Sequence, residues 1–543
     1  MIKKIVLMSL IAATGLQSVD AEKIKPTQNV IVMIPDGTSL SVLSASRWLK
    51  TYRNEGNTLN IDPYLCGTVT TFCSNAPIGD SAPTTSCYMT GIAQQAGNVA
   101  IYPVATPNDL IKLNPDSAYQ PLATLLEAMK IKQKKAAGLV VTCEFPHATP
   151  ADCSAHTYDR NSYKVIAPQM AFNNLDVMFG GGNAYVTDVM KQHFQQNGTT
   201  YIKNDKNALL NFNGKKVWAL YGDEDIPYDI DRDSSSIPSL AQMTGKAIEV
   251  LQKNKNGFFL MVEGSKVDWG AHANDPVAIM SEFLAFDKAV GVVMDYARKQ
   301  GNTTVIIMPD HGNSGFSISR YDLKNYSKAS IEKLFGTVSK IKKTAVGIEQ
   351  VLKTVPHDSI KKAFFDLTNI ELTAEEETAF LQAKSFKAAD YTEAAKSENL
   401  TNLIIKTINS HTYFGFTTNG HTGEEVFLAN YHPKGNRLTG NVRNKEVNTY
   451  LQQAAGLKQP LSELTSEIYS RHTNVFKGME VRIEKKNDNV TLIVKNGAKT
   501  LSIPAYSSVA QLNDKSIEIG SVAVYVDKTD LFYLPKALAE LMK

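Results

Sequence analysis

The chain has 543 residues, 43% hydrophobic and 20% charged, which is enough apolar material for a large core and more than one structural unit at about 150 residues per domain. Lys+Arg 57 against Asp+Glu 54 leaves a net charge of +3, too small for the basic footprint that specific nucleic-acid binding needs. Gly 33 and Pro 21 exclude a collagenous or low-complexity chain.

At the N-terminus, Lys3 and Lys4 precede a short apolar run from Ile5 to Leu16, and Val19-Asp20-Ala21 places small residues before a cut after Ala21. This is the pattern of a secretory signal peptide over residues 1–21, and it predicts an exported protein, periplasmic or alternatively extracellular. The run falls short of the roughly 20 apolar residues that a membrane span requires, and no later segment is long and apolar enough to span. Export takes the five cysteines, Cys66, Cys73, Cys87, Cys143 and Cys153, into an oxidising compartment. Cys66–Cys73 and Cys143–Cys153 are candidate bridges, with buried free thiols as the alternative, and no spacing forms a paired C-x-x-C zinc framework.

Further along, four β-branched apolar runs read as strands buried on both faces, as in a parallel sheet. Asn29 to Pro35 ends at Asp36, and Ala137 to Cys143 ends before Glu144 and His147. Gly257 to Val262 ends at Glu263, and Thr303 to Pro309 ends at Asp310-His311. Helical patterns separate the runs at Gln120 to Met129, Ile237 to Lys253 and Asp275 to Gln300, the last with Asp275 as N-cap and Pro276 at its first position. The alternation predicts an α/β fold with a mostly parallel central sheet flanked by helices. Ligands of such sheets bind beyond the carboxyl ends of the strands, and here each of the four delivers Asp, Glu or His to that edge.

Between 320 and 415 the sheet pattern stops and amphipathic helices take over at Ser330 to Phe335, Gly347 to Lys353 and Ala374 to Ala383, a helical insertion. From 459 to 543 the texture is that of a small β-rich C-terminal domain. Its expected strands are Met479 to Asn487, Val490 to Lys495, Thr500 to Ile503 and Ile517 to Val526, followed by a helix from Pro535 to Met542.

The chemistry-bearing residues begin with Gly79-Asp80-Ser81-Ala82-Pro83, where Asp80 or Ser81 can cap a helix and Pro83 is tolerated in the first turn. Ser81 then stands at an anion-attracting helix start, where a hydroxyl needs a base or a metal to become a nucleophile. Glu263, Asp268 and His272 fall within ten residues after one strand, Asp310-His311 follows the next, and His421 lies in Gly420-His421-Thr422-Gly423. Imidazole with carboxylate suits zinc, and carboxylate with hydroxyl suits magnesium. The other histidines, His156, His193, His357, His411, His432 and His472, read as surface or core residues.

The ordered series PDG, DSA, HAT, VEGSKVDWGAH, PDHG and GHTG resembles the alkaline phosphatase family. It covers roughly Val30 to Tyr431 and places a catalytic domain over 22–458. The resemblance implies phosphomonoester hydrolysis through a phosphoserine, small phosphomonoester substrates, two zinc ions with one magnesium, and a homodimer. By position, Asp268, His272 and His421 match the ligands of the first zinc; Asp36, Asp310 and His311 match those of the second, which faces the nucleophile Ser81. Asp36, Thr149 and Glu263 match the magnesium ligands, and Arg160 matches the phosphate-clamping arginine. His147 stands where some members have Asp, which opens the third position to zinc or cobalt, and Trp269 stands where they have Lys. A higher demand for magnesium and an altered pH optimum are expected from these two positions. The C-terminal segment faintly resembles the small domain at the front of some copper amine oxidases.

Rival readings are a phosphodiesterase of the same superfamily, which a two-oxygen clamp at Arg160 opposes, and a non-catalytic exported metal-binding scaffold. A sulfatase is opposed by Thr85, which stands where the C/S-x-P-x-R pattern needs arginine.

Overall fold

The continuous apolar runs become the centre of a ten-stranded sheet in the computed structural model, which describes residues 24–385, 399–487 and 489–543. In chain order its strands are β1 (Asn29–Pro35), β2 (Leu65–Thr70), β3 (Ala136–Glu144), β4 (Val177–Gly181), β5 (Thr200–Lys203), β6 (Val217–Leu220), β7 (Phe258–Gly264) and β8 (Thr303–Ile307), followed by Val426–Tyr431 and Gly440–Arg443. Across the sheet they run Gly440–Arg443, β2, Val426–Tyr431, β8, β1, β7, β3, β4, β6, β5. Val426–Tyr431 alone is antiparallel to both neighbours, so the sheet is mixed and mostly parallel, as the alternating pattern predicts.

Burial of both faces explains why the central strands read as nearly continuous apolar runs. Val30, Val32 and Ile34 point into one core with Phe259 and Met261, while Ile31 and Met33 point into the other with Leu260 and Val262. Helices Leu40–Tyr52, Leu240–Leu251 and Pro276–Gln300 cover the second core; Ser81–Thr90, Leu125–Gln133, Tyr163–Phe172 and Asn444–Ala455 cover the first. The long helix begins where its signals place it: Asp275 accepts from the backbone N–H groups of Val277 and Ala278, and Gly301 ends it at φ 71°.

Ser317–Ile318 pairs antiparallel with Phe414–Gly415, so the chain leaves the sheet and returns at one place. Between them lie helices Ile331–Lys340, Ala345–Thr354, Ile360–Thr368, Ala374–Ser385 and Leu400–Ser410. Phe335, Ile348, Phe364, Phe380 and Ile404 join the core that holds Ile31, so these helices extend one face of the sheet. The proposed signal peptide lies outside the described residues. No helix among the described residues is long and apolar enough to cross a membrane.

The C-terminal segment forms a five-stranded antiparallel meander from Glu480 to Glu518 and a three-stranded sheet of Ser470–Arg471, Leu531–Leu534 and Val524–Val526. Two expectations are corrected here. Ile517 to Val526 is not one strand: Gly520, at φ 89°, breaks it, and Val524–Val526 joins the other sheet. The last helix starts at Leu538 instead of Pro535, because Pro535, Lys536 and Ala537 form a tighter turn whose carbonyls accept from the backbone N–H groups three residues on. The candidate disulfides are also overturned, since all five cysteines are free. Their thiols point elsewhere: Cys66 to the Leu438 carbonyl, Cys73 to the Ile78 carbonyl, Cys143 to Glu263 Oε2 and Cys153 to the Thr149 carbonyl.

Glu282, on the buried face of the long helix, accepts from the Asp229 backbone N–H and is 4% exposed. Burial pushes its carboxyl up from 4.5 to about 7. The folded chain keeps this proton between those values while the unfolded chain loses it, so stability falls as pH rises across that window and is level above it. Glu282→Gln is expected to be near neutral at pH 5 and to stabilise at pH 8, on the order of 1–3 kcal/mol. Denaturant midpoints of both proteins at the two pH values check this; an equal difference at both refutes it.

Candidate metal centre

Strands β8, β1, β7 and β3 are consecutive in the sheet, so their carboxyl ends form one edge. That edge receives Asp310 and His311 after β8, Asp36 after β1, Glu263 within β7, and His147 and Thr149 after β3. Gly37 turns the chain at φ 55°, and its backbone N–H donates to Asp310 Oδ1 at 3.0 Å. A Cβ there would lie 2.1 Å from Asp268 Oδ1, so both the conformation and the close approach require glycine. Asp268 and His272 stand four residues apart on the helix Lys266–His272, hence on one face. His421 arrives from the other side, because His421–Thr422 pairs antiparallel with Gly312–Asn313 and stacks the His421 ring on His311, with centroids 3.7 Å apart.

The three imidazoles are held alike. His311 Nδ1 is 3.1 Å from the Gly312 carbonyl, His272 Nδ1 2.6 Å from the Asn419 carbonyl, and His421 Nδ1 3.0 Å from the Gly79 carbonyl. A carbonyl only accepts, so each Nδ1 carries the hydrogen and each Nε2 presents a lone pair. His272 Nε2 and His421 Nε2 face each other at 3.1 Å, and Asp268 Oδ2 is 3.4 Å from His272 Nε2. Burial, with His311 beside it, holds His421 below the usual imidazole range, which keeps its lone pair free. Two lone pairs and a carboxylate converge with no hydrogen between them, which is the geometry of a cation site.

Ligand atoms of Asp268, His272 and His421 lie within 4.8 Å of one another, as do those of Asp36, Asp268 and His311. Asp268 therefore borders both groups. Asp310 adjoins the second, its Oδ2 lying 3.5 Å from His311 Nε2. Deeper in the edge, Asp36 Oδ2, Thr149 Oγ1, Glu263 Oε1 and His147 Nδ1 are buried with no hydrogen-bond partner among the described residues. Buried oxygens are seldom left so, and this set of acceptors suits a hard cation, with the imidazole admitting a softer one. Burial and then the nearby charge of Asp310 raise Asp36 well above the ordinary carboxylate range; burial carries Glu263 to about 8. The residues fit divalent cations because little else present can neutralise them.

Ser81 opens the helix Ser81–Thr90, capped by Asp80, whose Oδ1 accepts from the Ser81 backbone N–H at 2.9 Å. Ser81 Oγ lies 3.4 Å from Asp36 Oδ1 and 3.3 Å from His311 Nε2, facing the second ligand group. Arg160 Nη1 donates to Asp80 Oδ1 at 2.7 Å, and Nη2 is 3.5 Å from His147 Nε2. Burial opposes ionisation of Asp80, but Arg160, His311 and His421 hold its carboxyl below the usual range. All eleven candidate residues thus meet around one edge. Of the remaining histidines, His156, His193, His432 and His472 are buried, and His357 and His411 are exposed.

Sequence reasoning treated Asp80 only as a cap and missed its grip on Arg160. It also missed Asn313, whose Nδ2 donates to Asp268 Oδ1 at 2.7 Å, and Ser265, whose hydroxyl accepts from the Thr142 and Cys143 N–H groups. Nearness to PDHG and to Glu263 was the available signal for both. Trp269 meets His147 edge-on at 5.9 Å, with Lys266 Nζ over its ring at 4.9 Å and paired with Asp225.

The family model described as alkaline phosphatase matches residues 27–457. Alkaline phosphatase 3 of Bacillus subtilis is 34% identical over 435 residues, covering 77% of this chain and 87% of that relative. A solved cold-active alkaline phosphatase from the psychrophile Shewanella sp. superposes with a TM-score of 0.68 at 24% identity, covering 79% of this chain and 99% of its own. A TAB5 alkaline phosphatase mutant with Mg bound in its M3 site has a TM-score of 0.55 at 23% identity, covering 80% and 99%.

Without a cation, Glu263 keeps its proton below about pH 8, and a cation must displace that proton to bind. Magnesium affinity of the metal-stripped protein is therefore expected to rise with pH up to about 8 and level off above it. Magnesium titration by calorimetry between pH 6 and 9, reading affinity and protons released, checks this. An affinity independent of pH refutes it.

Proposed function

The chain belongs to the alkaline phosphatase family and is a phosphoric monoester hydrolase, and from that premise we propose that it works through a phosphoserine formed on Ser81. The observation that carries this reading is the placing of Ser81 Oγ within 3.4 Å of both Asp36 and His311, with Arg160 held at the same helix start. We assign zinc to Asp268, His272 and His421 and to Asp36, Asp310 and His311. Magnesium goes to Asp36, Thr149 and Glu263, with zinc or cobalt as the alternative there because His147 adds an imidazole. Bound cations supply the positive charge that acidifies a serine hydroxyl and a water and neutralises the phosphoryl oxygens.

The chain's own groups do the rest. Arg160, fixed by Asp80, presents its planar guanidinium to two non-bridging oxygens of a phosphate monoester dianion. The monoester dianion offers three non-bridging oxygens and two negative charges, a diester only two oxygens and one charge, which is why the monoester is favoured. Ser81 Oγ forms the new bond to phosphorus as the alcohol's oxygen leaves on the opposite side. Water then breaks the Ser81–phosphorus bond, releasing inorganic phosphate and regenerating the hydroxyl. The rigid helix start keeps Ser81 in line, so little ordering is left for the reaction to supply.

Export, on the signal-peptide pattern of residues 1–21, to the periplasm, and a homodimeric state, on the family resemblance, complete the proposal. Ser81→Ala is expected to lower kcat on p-nitrophenyl phosphate at least about a thousandfold with bound metal unchanged. The wild type should turn over p-nitrophenyl phosphate far faster than bis-p-nitrophenyl phosphate. Full activity in the variant removes the nucleophile, and dominant diesterase activity removes the substrate class.

A further inference from the structure

Asp152 is a buried acid that the chemistry above does not use. It lies three residues beyond Thr149 on the helix Ala148–Ser154, wholly inaccessible, with Oδ2 unpartnered among the described residues. Its other oxygen, Oδ1, accepts from Ser86 Oγ at 2.7 Å. Ser86 sits five residues beyond Ser81 on the nucleophile's helix, and its Oγ in turn accepts from the Ala100 backbone N–H at 2.7 Å. One serine hydroxyl thus joins two helices to a third segment, spending a donor on one and an acceptor on the other.

That third segment leads to the arginine. Val99 and Thr157 exchange both backbone hydrogen bonds, at 2.8 and 3.0 Å, and the Arg160 N–H donates to the Gly97 carbonyl at 2.8 Å. Ala100 is held from both sides: its N–H goes to Ser86, and its carbonyl accepts from His156 Nδ1 at 2.8 Å. Ala100 also adopts φ 40°, a conformation alanine avoids, which persists where the surroundings over-determine it. His156 Nε2 lies 2.8 Å from the hydroxyl of Tyr469, which itself donates to Glu127 Oε1. The chain of contacts therefore runs from Tyr469, at the start of the C-terminal segment, through His156, Ala100 and Ser86 to Asp152.

We infer that Asp152 is a positioning residue: through Ser86 it locks the Ser81 helix to the Thr149 helix and to the strip that carries Arg160. The inference rests on the phosphoserine reading above. A buried carboxyl with an idle oxygen is costly. Burial raises this carboxyl well above the ordinary range, which marks the same cost. What the acid provides is a directional acceptor that no apolar side chain supplies. Ser81 and Arg160 approach one phosphoryl group from different segments, and a misplacement of about 1 Å between them can cost about a hundredfold in rate.

The test compares Asp152→Ala, Asp152→Asn and wild type, loaded with zinc and magnesium, on p-nitrophenyl phosphate at 25 °C. Asp152→Ala is expected to lower kcat about tenfold or more with KM changed less and metal content equal to wild type. Asp152→Asn keeps an oxygen for Ser86 and is expected to restore kcat to within about threefold of wild type. A folded, metal-replete Asp152→Ala with kcat within about twofold of wild type overturns the inference, as does an Asp152→Asn as slow as the alanine variant. Should Asp152→Ala fail to fold, Ser86→Ala reads the same tie with a smaller change in volume. A fall in kcat of about tenfold supports the inference, and kcat within about twofold overturns it. Wild-type enzyme without turnover would sink the phosphatase reading itself, a result distinct from all of these.

Discussion

The structure depends on a concentration of buried carboxyl groups and imidazole lone pairs at the carboxyl edge of four adjacent strands. Asp36, Glu263 and Asp310 are fully buried there, and Asp268 nearly so. Three imidazoles turn the same nitrogen toward them because backbone carbonyls hold the other. A protein interior tolerates such a group only where something positive completes it, since isolated buried charge is among the most expensive features a fold can carry. Arg160 is paired to Asp80 and cannot serve the acids beyond it. The edge suits cations, and the Ser81 hydroxyl stands beside it, within 3.4 Å of Asp36 and His311.

The parts of this arrangement that were legible in the sequence are those encoded by local pattern. Unbroken apolar runs announced strands buried on both faces, and each run ended in the residue that its strand delivers to the edge. Asp275-Pro276 announced the start of the long helix, since capping and proline placement are decided within one turn. The parts that were not legible depend on residues far apart in the chain. Asp80 gripping Arg160, Asn313 steadying Asp268 and Gly37 yielding room to the Asp268 carboxylate are pairings across 80, 45 and 231 positions, which no periodicity records. The candidate bridges failed because closeness in sequence suggested them, whereas the Cys66, Cys73, Cys143 and Cys153 thiols each face a carbonyl or carboxylate instead.

The C-terminal segment shows a second limit of pattern reading. Ile517 to Val526 has the composition of one strand, but Gly520 lets the chain cross from the meander to the three-stranded sheet. That crossing has a consequence for the rest of the molecule. It sets Val524 and Val526 beside Tyr533, Leu464, Ile101 and Ala123 in a shared apolar cluster, next to Tyr469. Tyr158, two residues before Arg160, also donates to Asp527 at 2.7 Å. The small sheets are thus fastened to the segment that carries Arg160.

Rigidity and charge are connected in this design. Ionised together, Asp36, Asp310 and Asp268 would repel one another, and a pliant edge would relax by letting the side chains swing toward water. Here they cannot: the Gly37 N–H holds Asp310, the Asn313 amide holds Asp268, and every residue of the Ser81–Thr90 helix is buried. The repulsion is therefore retained as an affinity for cations, because whatever binds the folded edge and not the unfolded chain stabilises the fold by mass action. By this argument the cations belong to the folding free energy as much as to the chemistry. The hydrogen bonds that fix the acids are what couple the two, since loosening any of them would relieve the repulsion and weaken the site in the same step.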